Sequence, residues 1–292
     1  MKHARLRDHE MKVLIAGCGF AGSAIAQRFA QGGHAVWGLR RDPSRLAPGV
    51  APIAADLTVA GSLTSIPDGL DVAVYCASPD RSDAPAYEDI YVAGVRNLLE
   101  QLHRRSPRLR RFLLTSSTGV YGRSDGARVD ESTPPEPASA RSERLLDGEQ
   151  TALRSGFPAT VVRLGGIYGP GRRRLVDNVR AGKEECIDGA AVYTNRIHRD
   201  DVAGAVVHLA TQQHADELYL GVDDDPAERC EVLCWLAARL DAPVPRTRRV
   251  TEADLTRSNK RCSNRMLRAT GYAFLFPTYR EGYADVLSQL AD

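Results

Sequence analysis

From Met11 onward, short apolar runs alternate with longer stretches in which apolar residues recur every three or four positions. Residues 12–16, 35–39, 72–76, 112–115 and 160–164, with a weaker run at 52–54, have the length and composition of buried strands. Between them, residues 20–31, 87–105 and 141–154 read as helices, the second placing Ile90, Val95, Leu98, Leu99 and Leu102 on one face. Strands separated by crossover helices predict an α/β fold built on a doubly wound parallel sheet, the Rossmann architecture. After Leu164 the regularity weakens and Gly, Pro and Arg gather at 165–174, which marks a crossover into another lobe. A helix at 200–211 and a strand at 218–220 return to the main sheet. A helix at 230–240, a polar linker at 241–249 and a last helix ending near Leu290 complete the chain. The expected division is a loose tail over 1–10, a nucleotide-binding domain over 11–165 and 195–222, and a smaller C-terminal substrate lobe over 166–194 and 223–292.

Chemistry first enters where the first strand meets the first helix. The string Gly17-Cys-Gly19-Phe20-Ala21-Gly22 is a GxGxxG turn in strand–turn–helix context. Gly17 permits the tight turn, Gly19 lets the backbone approach a pyrophosphate, and Gly22 allows the helix to pack closely. The phosphates would lie on N–H groups of the helix opening at Phe20 and Ala21. A carboxylate at the end of the second strand would hold the ribose of NAD, but this chain has Arg40 and Arg41 there. Two guanidiniums suit the 2′-phosphate of NADP through bidentate charge-assisted bonds. The expected cofactor is therefore NADP, with NAD as the alternative. Asp42 precedes Pro43 and is placed to cap a short helix rather than to hold a ribose.

Composition narrows the field. The 292 residues carry a net charge of +2, with 43% hydrophobic and 26% charged residues, which excludes disordered and disulfide-scaffold classes. With no basic stripe and no run of 18 apolar residues, neither a nucleic-acid partner nor a membrane span is expected. The first ten residues lack the apolar core of a signal peptide, Met11 offers a second start, and a cytoplasmic location is expected. The six cysteines show no CxxC pair or His-spaced pattern and read as reduced thiols. Cys230 and Cys234, four apart in an apolar helix, read as a core face, and no metal site is expected. Only Lys2, Lys12, Lys183 and Lys260 are lysines among 39 basic residues, so any mechanism needing a lysine has four candidates.

Further segments extend the motif in a fixed order: Ala55-Asp56-Leu57, Tyr75-Cys-Ala77-Ser78, Leu114-Thr115-Ser-Ser117-Thr-Gly-Val-Tyr121-Gly, Val129-Asp-Glu-Ser-Thr-Pro-Pro135, Val162-Arg-Leu-Gly-Gly-Ile-Tyr-Gly-Pro-Gly171 and Arg196-Ile-His-Arg-Asp-Asp201. In this order the chain resembles the extended short-chain dehydrogenase/reductase family, the NAD(P)-dependent sugar-nucleotide epimerases and dehydratases. The resemblance implies that Asp56 and Leu57 touch the adenine, that Ala77 and Ser78 lie beside the ribose, and that Thr115 borders the cofactor. It also implies hydride-transfer chemistry served by a Tyr-x-x-x-Lys pair and a Ser or Thr, with a homodimer packed through the helices 87–105 and 141–154. Ser117 matches the hydroxyl partner. The pair itself is missing: aligning Glu149 with the family's closing glutamate puts Arg141 at the tyrosine position and Leu145 at the lysine position, and Tyr91 stands where an Asn is usual. None of the ten tyrosines has a lysine four residues later, so the chain resembles an atypical subgroup.

An active enzyme then needs another acid, since a positioned acid–base contributes roughly 10²–10⁴-fold. Tyr121 can donate a proton or be a packing residue of its turn. Arg141 can polarise a carbonyl oxygen or be a solvated helix residue. His198 has a suitable pKa by type but lies in a stretch that is structural in the family. Arg172, Tyr193, Asn195 and Lys260 are the expected substrate contacts, for a small polar, anionic or sugar-like substrate. The alternative is a catalytically silent NADP(H)-binding sensor on the same fold.

Overall fold

The computed structural model describes residues 10–189, 191–255 and 258–290, so the expected tail, apart from Glu10, lies outside the described residues. Along the chain the first elements are β1 (Lys12–Ala16), α1 (Phe20–Gln31), β2 (Ala35–Arg40), β3 (Val50–Ala54), β4 (Val72–Tyr75), α2 (Ala84–Tyr87), α3 (Val95–Arg105) and β5 (Arg111–Ser117). Next come β6 (Ala127–Val129), α4 (Ala140–Leu153), β7 (Ala159–Leu164), β8 (Gly166–Tyr168), α5 (Arg174–Arg180), β9 (Glu185–Asp188), β10 (Arg196–His198), α6 (Arg199–Thr211) and β11 (Leu218–Gly221). The chain closes with α7 (Arg229–Arg239), β12 (Arg246–Arg249), α8 (Glu252–Leu255), β13 (Lys260–Cys262), α9 (Arg265–Ala269) and α10 (Tyr279–Ser288). No helix among the described residues is long and apolar enough to cross a membrane.

Two compact units share the chain. The first comprises Met1–Val120, Pro137–Arg163 and Val202–Tyr219, and the second Tyr121–Glu136, Leu164–Asp201 and Leu220–Asp292. The main sheet has seven strands in the order β11-β7-β5-β4-β1-β2-β3. β1 pairs in parallel with both β2 and β4, β2 with β3, and β4 with β5. The order reverses at β1, so a crevice opens beyond the carboxyl ends of β1 and β4, where the two halves of a doubly wound sheet diverge. Strands covered on both faces read as continuous apolar runs, and β4 and β7 are buried at every position. On α3, the buried positions Val95, Leu98, Leu99 and Leu102 form the stripe expected from the sequence. That helix is preceded by a π-helical stretch, Glu88–Gly94, in which the hydroxyl of Tyr75 donates to the carbonyl of Ile90 at 2.5 Å.

One ionic contact sits within the first unit's interior. Arg163 on β7 donates from Nε to both oxygens of Glu149 at 3.1 Å and from Nη2 to Oε2 at 2.6 Å. Ser116 on β5 donates to Glu149 Oε1 at 2.5 Å. Both charged side chains are about 95% buried or more, with relative exposures of 3% for Glu149 and 5% for Arg163. The carboxylate is thus shared by a strand on each side, which fixes α4 against the sheet.

The second unit is assembled from short pieces. β8 pairs with β10, β9 with β12 and β6 with β13, each in parallel and over three or four residues. The stretch expected as a polar linker contains β12, because Arg248 pairs with Glu185 on β9 at 3.2 Å and with Asp254 at 2.6 Å. Its core gathers Tyr168, Val176, Leu233, Leu236, Tyr279 and Tyr283. Asp201 is fully buried and satisfied: its carboxylate accepts from the hydroxyl of Tyr272 at 2.7 Å and from the backbone N–H groups of Leu275 and Phe276 at 2.8 and 2.9 Å.

Two cysteine expectations are corrected in this unit. Cys186 and Cys230 form a disulfide, 44 residues apart, so they are not reduced thiols. The core face of α7 is Val232, Leu233, Leu236 and Ala237, whereas Cys230 is half-buried and Cys234 exposed. The cysteine pair therefore flanks the apolar stripe instead of forming it.

Beside this core lies a set of buried polar atoms without hydrogen-bond partners: Tyr168 Oη, Arg196 Nη1, His198 Nε2 and Asp223 Oδ2. Burial, opposed by the nearby Arg196 guanidinium, raises the Asp223 carboxyl to about 8. An unfolded Asp ionises near pH ~3.9. The folded state thus holds a proton that the unfolded chain has lost, and this contribution to stability is complete below pH ~4 and fades as pH rises through about 8. Asp223→Asn keeps the neutral form at every pH. Thermal unfolding at pH 5 and pH 9 will show a smaller loss of Tm on the alkaline side for the variant; parallel curves would contradict the assignment. Removing one partner of a buried ion pair costs about 3–5 kcal/mol. Urea unfolding of Glu149→Ala is expected to show a loss of that order, and Glu149→Met with Arg163→Met a smaller one.

Candidate functional site

The glycine turn connects β1 to α1 at the crevice. Gly17 has φ +99°, and a Cβ there would lie 2.4 Å from the backbone nitrogen of Ala77, so only glycine lets the turn meet the end of β4. A Cβ on Gly22 would lie 2.1 Å from the carbonyl oxygen of Gly17, which locks α1 against its own turn. Gly19 differs: it is exposed, and a Cβ there would meet nothing within 4 Å. The space above Gly19 is open, α1 has no side-chain cap, and its first turn carries no acidic residue. First-turn N–H groups of a helix, at Ala21 and Gly22 here, lack intrahelical acceptors and favour an anion. The residues present therefore fit a dinucleotide pyrophosphate.

At the end of β2 the Arg40 guanidinium donates to the carbonyl of Cys18 at 3.0 Å, which lays the side chain against the glycine turn. Arg41 is exposed and paired with Asp80 at 2.5 Å. Asp42 caps the short 3₁₀ turn Pro43–Arg45 by accepting from Ser44 N at 3.0 Å, as its Asp-Pro context predicts. Asp56 accepts from the backbone and hydroxyl of Thr58 at 2.9 and 2.8 Å, and Leu57 is buried with its carbonyl bonded by Asn97. Ala77 and Ser78 follow β4, and Thr115 donates from its buried hydroxyl to the carbonyl of Tyr75 at 3.3 Å. Burial lifts the thiol of Cys18 to about 12 and that of Cys76 to about 11, so both are protonated, unreactive neighbours of the turn.

Ser117 ends β5 half-buried, its oxygen accepting from Gly119 N at 3.0 Å. Its neighbour Ser116 points the other way, into the Glu149–Arg163 pair. On α4, Arg141 is exposed in the first turn, and Leu145, expected at the family's lysine position, is 5% exposed in the core. Tyr121 falls in the second unit, 1% exposed, and its hydroxyl donates to the carbonyl of Asp130 at 3.2 Å.

The expected substrate contacts all lie in the second unit. Asn195 uses both ends of its amide on β13, donating to Lys260 O at 3.0 Å and accepting from Cys262 N at 2.7 Å. Lys260 is 3% exposed and donates to Ser258 Oγ at 2.6 Å; burial lowers its pKa. Tyr193 donates from its backbone N–H to Asn259 Oδ1 at 2.8 Å and lies under the Arg261 guanidinium. These three residues are brought together, whereas Arg172 stands exposed at the Gly169 turn. His198 is fully buried between Tyr168 and Phe276, and burial lowers its pKa, so it is a neutral packing residue. The sequence motif marks Glu149 but not its partner Arg163. The arginine inside the apolar run Thr160-Val-Val-Arg163-Leu was the available signal, since a buried guanidinium needs an anion.

A Streptomyces 3-diazoavenalumate denitrifying reductase is 28% identical over 93% of this chain and 99% of its own length. A Methylobacillus flagellatus structure, provisionally assigned as an NAD-dependent epimerase/dehydratase, is 33% identical with TM-score 0.81, covering 97% of this chain and all of that one. The Bordetella bronchiseptica enzyme WbmG, solved with NAD, shares the fold at 18% identity and TM-score 0.81, over 98% of this chain and 95% of its own. The NAD-dependent epimerase/dehydratase family profile matches residues 13–221, from the first strand of the main sheet to its last, and the chain belongs to that family.

Proposed function

We propose that this protein is an NADP-preferring oxidoreductase acting on a carbonyl or hydroxyl group of a small polar substrate, anionic or sugar-like. The observation that carries the cofactor preference is Arg40 lying on the glycine turn, with Asp42, the carboxylate nearest it in sequence, committed to Ser44. One guanidinium face remains for the 2′-phosphate after the bond to Cys18, and Arg41 can exchange Asp80 for the same group. When bound, the dinucleotide would supply or accept the hydride.

The protein's own part is to hold the substrate oxygen. Ser117, fixed at the end of β5 by the Ser116–Glu149–Arg163 contact next to it, offers a hydroxyl for that oxygen. Arg141, exposed in the first turn of α4, is suited to polarise a carbonyl or hold a carboxylate, and cannot itself shed a proton at neutral pH. Tyr121 would have to give up its bond to Asp130 to act as an acid, so its placement favours packing. The name of the Streptomyces relative, a reductase, supports running the chemistry toward reduction.

A second reading is favoured by one observation: Leu145, expected at the position of the family's lysine, is a core residue. A chain with no cation there suits a protein that binds NADP(H) without rapid turnover. NADPH oxidation against aldehydes, ketones and nucleotide sugars separates the two, and tight binding with no turnover would select the sensor.

Two variants test the assignment. A hydrogen bond to a charged group contributes about 1.5–3 kcal/mol, so Arg40→Ala should weaken NADPH binding by about 10- to 100-fold and leave NADH unchanged; equal losses for both would remove the NADP preference. Ser117→Ala should lower turnover by about 10²-fold with the NADPH dissociation constant unaltered, and unaltered turnover would remove Ser117 from the site.

A further inference from the structure

The second unit holds three sulfurs that dinucleotide chemistry does not use. Cys186 lies on β9, and Cys230 and Cys234 lie one turn apart on α7. All three Sγ atoms fall within 4.8 Å of one another, and those of Cys230 and Cys234 are 3.9 Å apart. Zn–S bonds of ~2.3 Å in tetrahedral geometry place thiolate sulfurs about 3.8 Å apart. The spacing on α7 is therefore that of two ligands to one ion, and the four-residue interval puts both on one helix face.

The surroundings suit anionic sulfur. The guanidinium of Arg229, next to Cys230 in the chain, donates to the carbonyl of Glu185 at 2.8 Å and to the carboxylate of Glu184, which ties the start of α7 to β9 at the cluster. Cys230 stands in the first turn of an eleven-residue helix, where N–H groups favour a thiolate. Both ligand-bearing elements are anchored, β9 by its four-residue pairing with β12 and α7 by its core stripe. A small depression lined by Cys186, Ile187, Val192, Glu228, Arg229 and Cys230 opens beside the sulfurs, and Cys234 is exposed, so solvent can reach a fourth position.

We propose that the reduced cluster is a binding site for one thiophilic divalent cation of the zinc class, held by Cys186, Cys230 and Cys234, and that the Cys186–Cys230 disulfide is the metal-free oxidised state of the same site. A low-molecular-weight thiol reduces the disulfide: two equivalents supply two electrons and two protons, the two cysteine thiols form, and the reductant leaves as its own disulfide. Binding then displaces the thiol protons. This departs from the sequence expectation of no metal site, because Cys186 is remote in the chain from the other two.

The test uses the full chain, reduced with a phosphine and freed of it without oxygen, then titrated with Co²⁺ and competed with Zn²⁺. Expected are one Co²⁺ per chain with thiolate-to-cobalt charge-transfer absorption, at least tenfold weaker binding in Cys234→Ser, and no binding by the disulfide form. Absent absorption at one equivalent, or parental affinity in Cys234→Ser, would overturn the proposal. A variant-free measurement accompanies it: iodoacetamide labelling of the reduced chain, read by peptide mass, should slow at Cys186, Cys230 and Cys234 when Zn²⁺ is present. Equal labelling rates with and without Zn²⁺ would equally overturn it.

Discussion

A carboxylate shared between two strands organises the first unit. Glu149, from α4, meets Arg163 on β7 and Ser116 on β5 where water has little access. Burying either charge alone would be costly, and three donors on one carboxylate offset that cost while demanding one geometry. The helix cannot slide, and the end of β5 cannot twist, without stranding a charge. Because successive residues of a strand face opposite sides, anchoring Ser116 inward turns Ser117 the other way. The position of the candidate site hydroxyl thus follows from an ion pair that touches no ligand.

The glycine turn supplies the complementary constraint on the other side of the switch point. Gly17 meets Ala77 and Gly22 meets Gly17 at distances no side chain tolerates, so β1, β4 and α1 converge on a single arrangement. Gly19 alone faces open space. Close packing and open space within six residues separate the parts of the motif that build the fold from the part that can receive a ligand.

The second unit is held differently. Its strands are three or four residues long, so ladder hydrogen bonds contribute little, and side-chain links carry the connections. Asp201 gathers Tyr272 and two backbone N–H groups, Arg248 joins β9 to the segment after β12, and Asn195 fastens β13. Residues expected to contact a substrate are engaged in this scaffold: Asn195 bonds to the backbone of Lys260 and Cys262, and the Lys260 ammonium donates to Ser258. The set around Asp223 shows that this unit also carries buried polar atoms that no hydrogen bond satisfies.

The main sheet was legible because each of its strands is a local apolar run and each helix a local stripe. β1 falls where expected, β2 extends one residue further, and β3 begins two residues earlier than its weak signal. The GxGxxG turn, the cap at Asp42 and the absence of any Tyr-x-x-x-Lys pair are also local, the last because only four lysines exist to supply it. Tertiary structure decided what depends on partners far apart in the chain. It joined Arg163 to Glu149, Cys186 to Cys230 across 44 residues, and the short strands of the second unit to one another. Periodicity records which face of an element is apolar, whereas a charge, a thiol or a three-residue strand acquires its role from the neighbour that folding brings to it.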